Sequence, residues 1–282
     1  MRPLAWCGLL LFFFASVVLA ACGAGVDEGG HADGPGEEIT WPAEATAVVV
    51  ASDSGGGLPP PERVPERFAA VPDFVLYGDG TTYRQVGDGF RTARIDQEGV
   101  GTVLGWAADA GLLEPGGVDT GEPEVYDVGS IWSDVTANGR TRHTQVYAPG
   151  FEDEAGGLSG DQIENRARVE AFRERLFALP TALSEDRFLA MEAPLEGQAW
   201  EVLTRPSTAY GELSGAEPVW QIDDPVAVGR CRVFTGADAR QVAEDVGSTG
   251  EAQIWAVDGQ SWVVVARPLL PGSAPPCPGG GG

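Results

Sequence analysis

The chain has 282 residues, 43% of them hydrophobic, which is enough to bury one large core or two small ones. It carries 42 acidic against 18 basic residues, and the formal net charge of −24 disfavours binding to nucleic acid or to anionic lipid headgroups. All the basic residues are arginine, which excludes the lysine chemistry of Schiff bases and of phosphate-binding loops.

The N-terminus carries the features of an export signal. Arg2 precedes an uncharged apolar run from Leu4 to Ala21, which leads into Cys22. A short positive start, an apolar stretch and small residues before the cut are what the secretion machinery recognises. The end of the run, Leu19-Ala20-Ala21-Cys22, resembles the lipobox of bacterial lipoproteins. That resemblance implies a signal peptide at residues 1–21, and a mature chain that begins at a diacylglycerol-linked cysteine.

Three alternatives remain for this segment. The run reaches the lower limit for a membrane-spanning helix, which needs about 17–25 apolar residues, so an uncleaved anchor is one alternative. Ordinary secretory cleavage after Ala20 is the second, and a buried core helix is the third. All readings except the core helix place the residues after Cys22 outside the cytoplasm. Loss of Arg2 would leave 17 basic against 42 acidic residues, a net charge of −25.

Two cysteines remain for the folded part of the chain. Cys7 would leave with the signal peptide and Cys22 would carry lipid, which leaves Cys231 and Cys277. An oxidising exterior favours a disulfide between them, and a pair of free reactive thiols is the alternative.

The next segments predict a stalk and then a folded region. Residues 22–44 are rich in glycine and acidic residues, too poor in apolar side chains to fold, and are predicted to form a lipidated flexible stalk. Residues 46–51 then predict a first buried strand.

Four Asp-Gly or Asn-Gly dipeptides lie between strand-like runs, and such pairs are the strongest short-range signal for a β-hairpin. They are Asp79-Gly80, Asp88-Gly89, Asn138-Gly139 and Asp258-Gly259. The first two predict a three-stranded meander from Phe74 to Ile95. The predicted cross-strand partners are Tyr77 with Thr82, Leu76 with Tyr83, Val86 with Arg91, Trp132 with Gln145, Asp134 with His143, Trp255 with Trp262, and Ile254 with Val263.

Three helices are predicted between the strands. Asp96 can cap a helix that ends near Gly111, with an apolar face that includes Val100 and Leu104. Ser159 and Gln162 form a capping box, and the apolar residues of the following helix are Ile163, Val169, Phe172 and Leu176. A third helix is expected over residues 237–246, with Gly247 as its C-terminal cap. Further strands are expected at residues 199–203 and 219–222.

Hairpins with few helices predict an α+β fold, in which antiparallel hairpins and a meander pack with about three helices. The predicted organisation is a signal peptide at 1–21, a stalk at 22–44, and two modules of similar size. The first module covers 45–182, and the second covers 183–278 and holds the disulfide. Residues 279–282 form a glycine tail.

Three segments of the sequence resemble a second group of known proteins. They are Pro72 to Thr81, Ala107 to Leu113, and Arg267 to Gly272 followed by Cys277. Together they resemble a group of secreted lipoproteins of high-GC Gram-positive bacteria that has no assigned activity. The resemblance implies an envelope location and supplies no site residue.

The search for catalytic or metal-binding residues gives one polar pair. Asp134 and His143 are expected to lie directly opposite each other, and a carboxylate could orient the imidazole ring. Ser133 and Thr144 point to the other face, because neighbours along a strand alternate, so no hydrolytic triad forms. A surface ion pair is the plainer interpretation. With His31 in the stalk, too few ligands remain for zinc, and we expect no metal and no cofactor.

Two further features were considered as sites. The acidic clusters Glu152-Asp153-Glu154 and Asp223-Asp224 lack the twelve-residue calcium-loop pattern, which favours solvated loops. Five tryptophans fall in predicted strands, where packing in the core or sheet is the default and a sugar-stacking platform is the alternative. They are Trp132, Trp200, Trp220, Trp255 and Trp262.

The sequence therefore predicts a protein held by a lipid at Cys22 on the extracytoplasmic face of the cell membrane. It names no catalytic residue, and it favours a non-catalytic binding or envelope-interaction role. Its partners would be the membrane, through the lipid, and an envelope protein or glycan, but not nucleic acid. The alternative is a hydrolase that acts on envelope glycan.

Overall fold

In the computed structural model, the structure describes residues 39–56, 71–87, 89–152, 156–195, 199–206, 231–246, 253–257 and 260–271. These described residues belong to one compact unit. The described part is an α+β fold of antiparallel sheets and helices, as the sequence predicts. Within it, no helix has the length and apolar character needed to cross a membrane.

The first sheet has seven antiparallel strands in the order β6-β5-β1-β2-β3-β4-β7. Their bounds are β1 Val48–Gly56, β2 Phe74–Tyr77, β3 Thr81–Val86, β4 Gly89–Ile95, β5 Gly129–Ala137, β6 Arg140–Tyr147 and β7 Phe188–Pro194. The predicted meander is confirmed as β2, β3 and β4. The sequence missed β7, which lies beyond the predicted module boundary at 182/183 and forms an edge of this sheet. The first sheet therefore continues to Pro194.

The second sheet has four antiparallel strands in the order β10-β11-β8-β9. Their bounds are β8 Trp200–Pro206, β9 Cys231–Phe234, β10 Gln253–Val257 and β11 Gln260–Pro268. Helix α4, Gly236–Val246, covers one face, and Val202, Val242 and Val264 are fully buried there. The predicted strand at 219–222 and the predicted cap Gly247 lie outside the described residues.

The predicted registers are right for two hairpins and wrong for the meander. Trp132 pairs with Gln145, Asp134 with His143, Trp255 with Trp262, and Ile254 with Val263. In the meander, by contrast, the observed pairs are Leu76 with Thr82, Val86 with Gly89, and Arg84 with Arg91. The first turn is one residue longer than predicted, because Gly80 closes a three-residue loop at a φ of +88°.

Helices α1, Gln97–Asp109, and α2, Gly160–Phe177, cover one face of the first sheet. The predicted cap of α1 is confirmed, because Asp96 Oδ1 accepts a 2.7 Å hydrogen bond from Gly99 N. The capping box of Ser159 and Gln162 at α2 is also confirmed. A short helix, α3 at Leu179–Ala182, and a 3₁₀ turn at residues 185–187 then lead into β7.

The core between this helical layer and the sheet is apolar. Val50, Leu76, Val103 and Leu104 are fully buried in it, each with 0% exposure. We call the opposite face of the sheet the outer face. Over β2, β3 and β4 the outer face is covered, because Leu270 packs there with Val75, Tyr77, Tyr83 and Phe90.

The segment before β1 corrects the predicted stalk. Residues 39–44 were assigned to a flexible stalk, but they lie against the folded unit. Thr40 N donates to Asn138 Oδ1 at 2.9 Å, and Asn138 N donates to Thr40 O at 2.8 Å. Trp41 packs against the main core and donates from Nε1 to Gln97 at 3.2 Å. The remainder of the predicted stalk, with Cys22, lies outside the described residues.

Candidate functional site

The outer face of β1, β5 and β6 carries the main candidate site. Side chains alternate along a strand, and Val50 and Val135 point into the core, so Asp53, Trp132 and Gln145 point outward. In the sheet register Trp132 lies directly between Asp53 on β1 and Gln145 on β6.

Trp132 is 37% exposed, unlike the two tryptophans of the second sheet whose exposure the structure describes. Trp200 and Trp262 are 7% and 6% exposed, so the expectation of core packing is confirmed for these two. The ring of Trp132 extends over Gly55, because a Cβ placed on Gly55 would lie 3.4 Å from Trp132 Cζ3. The indole therefore lies across the sheet within van der Waals distance of the position a Cβ would take at Gly55.

Asp53 and Asp73 are neighbours at one end of the sheet, although the Asp73 carboxylate reaches toward α2 on the helix-covered side. The register of β1 with β2 pairs Ala51 with Val75 and Ser52 with Phe74, and its continuation puts Asp53 beside Asp73. Burial raises the pKa of Asp53 to about 6, and the negative charge of Asp73 adds to the rise. The Ser54 amide and Arg173 act in the opposite direction.

Asp73 is held by an arginine and a hydroxyl. Its Oδ2 accepts hydrogen bonds from Arg173 Nη2 at 2.9 Å and from Ser54 Oγ at 2.5 Å. Arg173 stacks over the ring of Phe177 on α2, with 4.5 Å between the guanidinium carbon and the ring centroid. The two neighbouring carboxyl groups thus differ in surroundings, because the carboxylate of Asp73 is paired with an arginine.

A groove of about 290 Å³ lies beside this face, at the edge formed by β6. Its lining includes Asp119, Thr120 and Glu122 from the loop before β5, and Gln145 and Tyr147 from β6. Thr120 Oγ1 donates to Gln145 O at 2.6 Å, which fixes the loop to the strand. The carboxylate of Asp119 accepts from the Gln162 side chain at 3.1 and 3.2 Å.

Arg166 on α2 holds the same loop from the helix side, a role that the sequence pattern does not indicate. Its side chain has 0% exposure, and it donates to Glu152 Oε1 at 2.9 Å. It also donates to the carbonyl oxygens of Thr120, Tyr147 and Ala148. Burial would raise the pKa of Glu152, but hydrogen bonds from its own amide, Arg166 and Gly150 outweigh burial and lower it. The groove is thus built on a fixed loop.

Asp134 and His143 form the predicted surface pair. His143 Nδ1 lies 2.7 Å from Asp134 Oδ1, and the side chains are 74% and 44% exposed. Ser133 and Thr144 are buried on the opposite face, as alternation requires. This geometry is that of an exposed cross-strand pair, which contributes little to stability.

The structure describes only some of the other residues that the sequence singles out. Cys231 Sγ lies 3.2 Å from Glu201 Oε1, whereas Cys277 lies outside the described residues, so the disulfide stays a prediction. Glu152 is described, but residues 153, 154, 223, 224 and His31 are not. Among the described residues, no group of three or more His, Cys, Asp or Glu is placed to hold a metal ion.

Comparisons with models of known protein families, with curated proteins and with solved structures give no match. The chemistry of the outer face therefore has to be inferred from its own side chains. An exposed indole with a carboxyl group on one side and an amide on the other can stack on an apolar ring face and bond to the hydroxyls around it.

Proposed function

We propose that this is a lipid-anchored, extracytoplasmic protein whose outer face binds a glycan of the cell envelope. The observation that carries the binding role is Trp132, an exposed indole that lies between Asp53 and Gln145 in the sheet register. Sugar rings present C–H groups on a face and hydroxyls at the rim. An aromatic platform flanked by acceptors and an amide complements both features.

The location rests on the N-terminal sequence. The lipobox-like Leu19-Ala20-Ala21-Cys22 supports attachment of the mature chain to the membrane by its acyl groups. The strong negative charge supports this assignment indirectly, since an acidic surface does not adhere to anionic headgroups on its own. A glycan is a suitable ligand at that location, because it surrounds a protein held at the membrane surface.

A binding assay with purified envelope polysaccharide tests the proposal. The full chain, extracted in detergent, is expected to co-sediment with the polysaccharide, and Trp132→Ala is expected to lose at least about 1 kcal/mol, roughly fivefold in affinity. Leu189→Ala is the matched control, because Leu189 is an exposed apolar residue on β7 at the other edge of the sheet. Equal binding by both variants and the unaltered chain would contradict the platform.

Asp53 and Asp73 favour a second candidate function, hydrolysis of the bound glycan. Glycoside hydrolases use one protonated and one ionised carboxyl group around the scissile bond. Asp53, with its pKa raised to about 6 mainly by burial, suits the acid, and Asp73, which accepts a hydrogen bond from Arg173, is the candidate for its partner. Release of reducing ends, with loss of release but retained binding in Asp53→Asn, would support this function over binding alone.

A further inference from the structure

The groove beside Trp132 presents more hydrogen-bond acceptors than side-chain donors. Three of its lining side chains can donate, and each already makes one hydrogen bond within the protein, which leaves one N–H of the Gln145 amide. Thr120 Oγ1 donates to Gln145 O, Tyr147 Oη to Val125 O at 3.1 Å, and Gln145 Nε2 to Ser130 Oγ at 2.8 Å. The acceptors that remain include the Gln145 side-chain oxygen and the carboxylates of the loop.

The charge of the groove points in the same direction. Its lining holds two carboxylates, Asp119 and Glu122, and no cationic side chain. Arg166 lies beneath the loop, but it has 0% exposure and its donors are bonded to protein oxygens. Asp119 is bound to Gln162 and to Gly121 N, whereas Glu122 is exposed to solvent. The lining holds no positive side chain to neutralise these two carboxylates, so a ligand group bound in the groove experiences negative charge.

We propose that the groove selects glycans that carry a free amine, so that a protonated amino sugar binds better than its N-acetylated counterpart. This inference rests on the proposed glycan-binding function and names the ligand class for the same face. An ammonium group donates three hydrogen bonds and carries the charge that the groove lacks. An acetamido group is neutral, adds an acceptor, and replaces ammonium donors with a single N–H.

The test compares glucosamine hexamer with N-acetylglucosamine hexamer by titration calorimetry on the full chain in detergent. Measurements at about pH 5 keep the amines protonated, because the neighbouring oxygens make an amino-sugar amine less basic than an ordinary amine. The expected result is about three- to tenfold tighter binding of the glucosamine hexamer. Glu122→Gln keeps the shape of the side chain and should bring that ratio close to one.

Glu185→Gln is the matched control, because it removes the same charge from an exposed position beside β7, at the opposite edge of the sheet. It should leave the preference unchanged. An equal loss of preference in both variants would show general attraction to an acidic protein and overturn the inference. Equal binding of the two hexamers to the unaltered chain would overturn this inference but leave the proposed glycan-binding function in place. Failure of both hexamers to bind would count against the glycan platform as well.

Discussion

Asp53 on β1 and Trp132 on β5 are direct cross-strand partners, and both point to the outer face of the seven-stranded sheet. The indole thus lies beside a carboxyl group that is partly buried and has a second carboxyl group, Asp73, as its neighbour. This arrangement couples the candidate binding face to pH, because the protonation state of Asp53 changes near its pKa of about 6.

The contribution of Asp53 to stability should therefore fall as the pH rises from about 4 to about 6. The folded pKa of Asp53 is raised above its ordinary value of 3.8, so this group binds more protons in the folded than in the unfolded state in this window. Asp53→Asn cannot titrate and removes this dependence. After discounting for the partial exposure of Asp53, the difference in unfolding free energy between the chain and the variant should change by about 1–2 kcal/mol. Urea unfolding at several pH values measures it, and a difference that stays constant would contradict the environment assigned to Asp53.

Arg166 should be essential for the loop that lines the groove. Arg166→Met removes the hydrogen bonds that Arg166 donates to Glu152 and to the three carbonyl oxygens while keeping most of the volume, and leaves those acceptors without this partner. We expect a loss of about 3–5 kcal/mol in unfolding free energy. Arg168→Met is the control, because Arg168 is exposed on the same helix, and should cost less than about 0.5 kcal/mol.

Hydrogen exchange would show where the Arg166 variant changes. Faster exchange is expected in residues 118–122 and 147–148, with little change in the second sheet. Similar stability of the Arg166 and Arg168 variants would contradict the account of the groove as a loop fixed from below.

The sequence predicted most elements of the fold because their signals are local. The caps at Asp96 and Ser159, and the hairpins at Asn138-Gly139 and Asp258-Gly259, depend on residues only a few positions apart. Strand β7 was missed because it belongs to the first sheet only through its pairing with β4, and its exposed residues show no clear alternation.

The candidate site depends on contacts between distant parts of the chain, so local patterns could not reveal it. Asp53 meets Asp73 and Trp132 only when β1 has its two neighbours in the correct register. The sequence predicts the apolar residues on the buried face of α2. Arg166 lies on the same face, but an arginine is normally expected to be exposed. Its burial follows from the carbonyl oxygens that the loop and β6 bring to it.

Gly78 should tolerate no side chain, because the segment before β1 passes over it. A Cβ at this position would lie 1.8 Å from Pro42 O, so Gly78→Ala must displace residues 39–44, in which Thr40 is hydrogen-bonded to Asn138. We expect a cost of about 1–3 kcal/mol in unfolding free energy. Gly89→Ala is the control, since a Cβ there meets nothing within 4 Å. Equal stability of the two variants would contradict the packing of residues 39–44 over Gly78.

Cys231 and Cys277 should be linked in protein from an oxidising compartment. A closed loop of 46 residues (277 − 231) contributes roughly 4 kcal/mol in the chain-entropy model, so reduction should lower the urea midpoint. Peptide mapping by mass spectrometry without reduction should find the two cysteine peptides joined. Two separate peptides with free thiols would refute the disulfide.

The most direct test of the central claim is the mass of the N-terminal peptide of chain purified from its native membrane. The account predicts that this peptide begins at Cys22 and carries acyl chains, and that Cys22→Ala is no longer held at the membrane. A peptide that begins upstream of Cys22, or that carries the cysteine unmodified, would contradict the lipid anchor and the envelope location drawn from it.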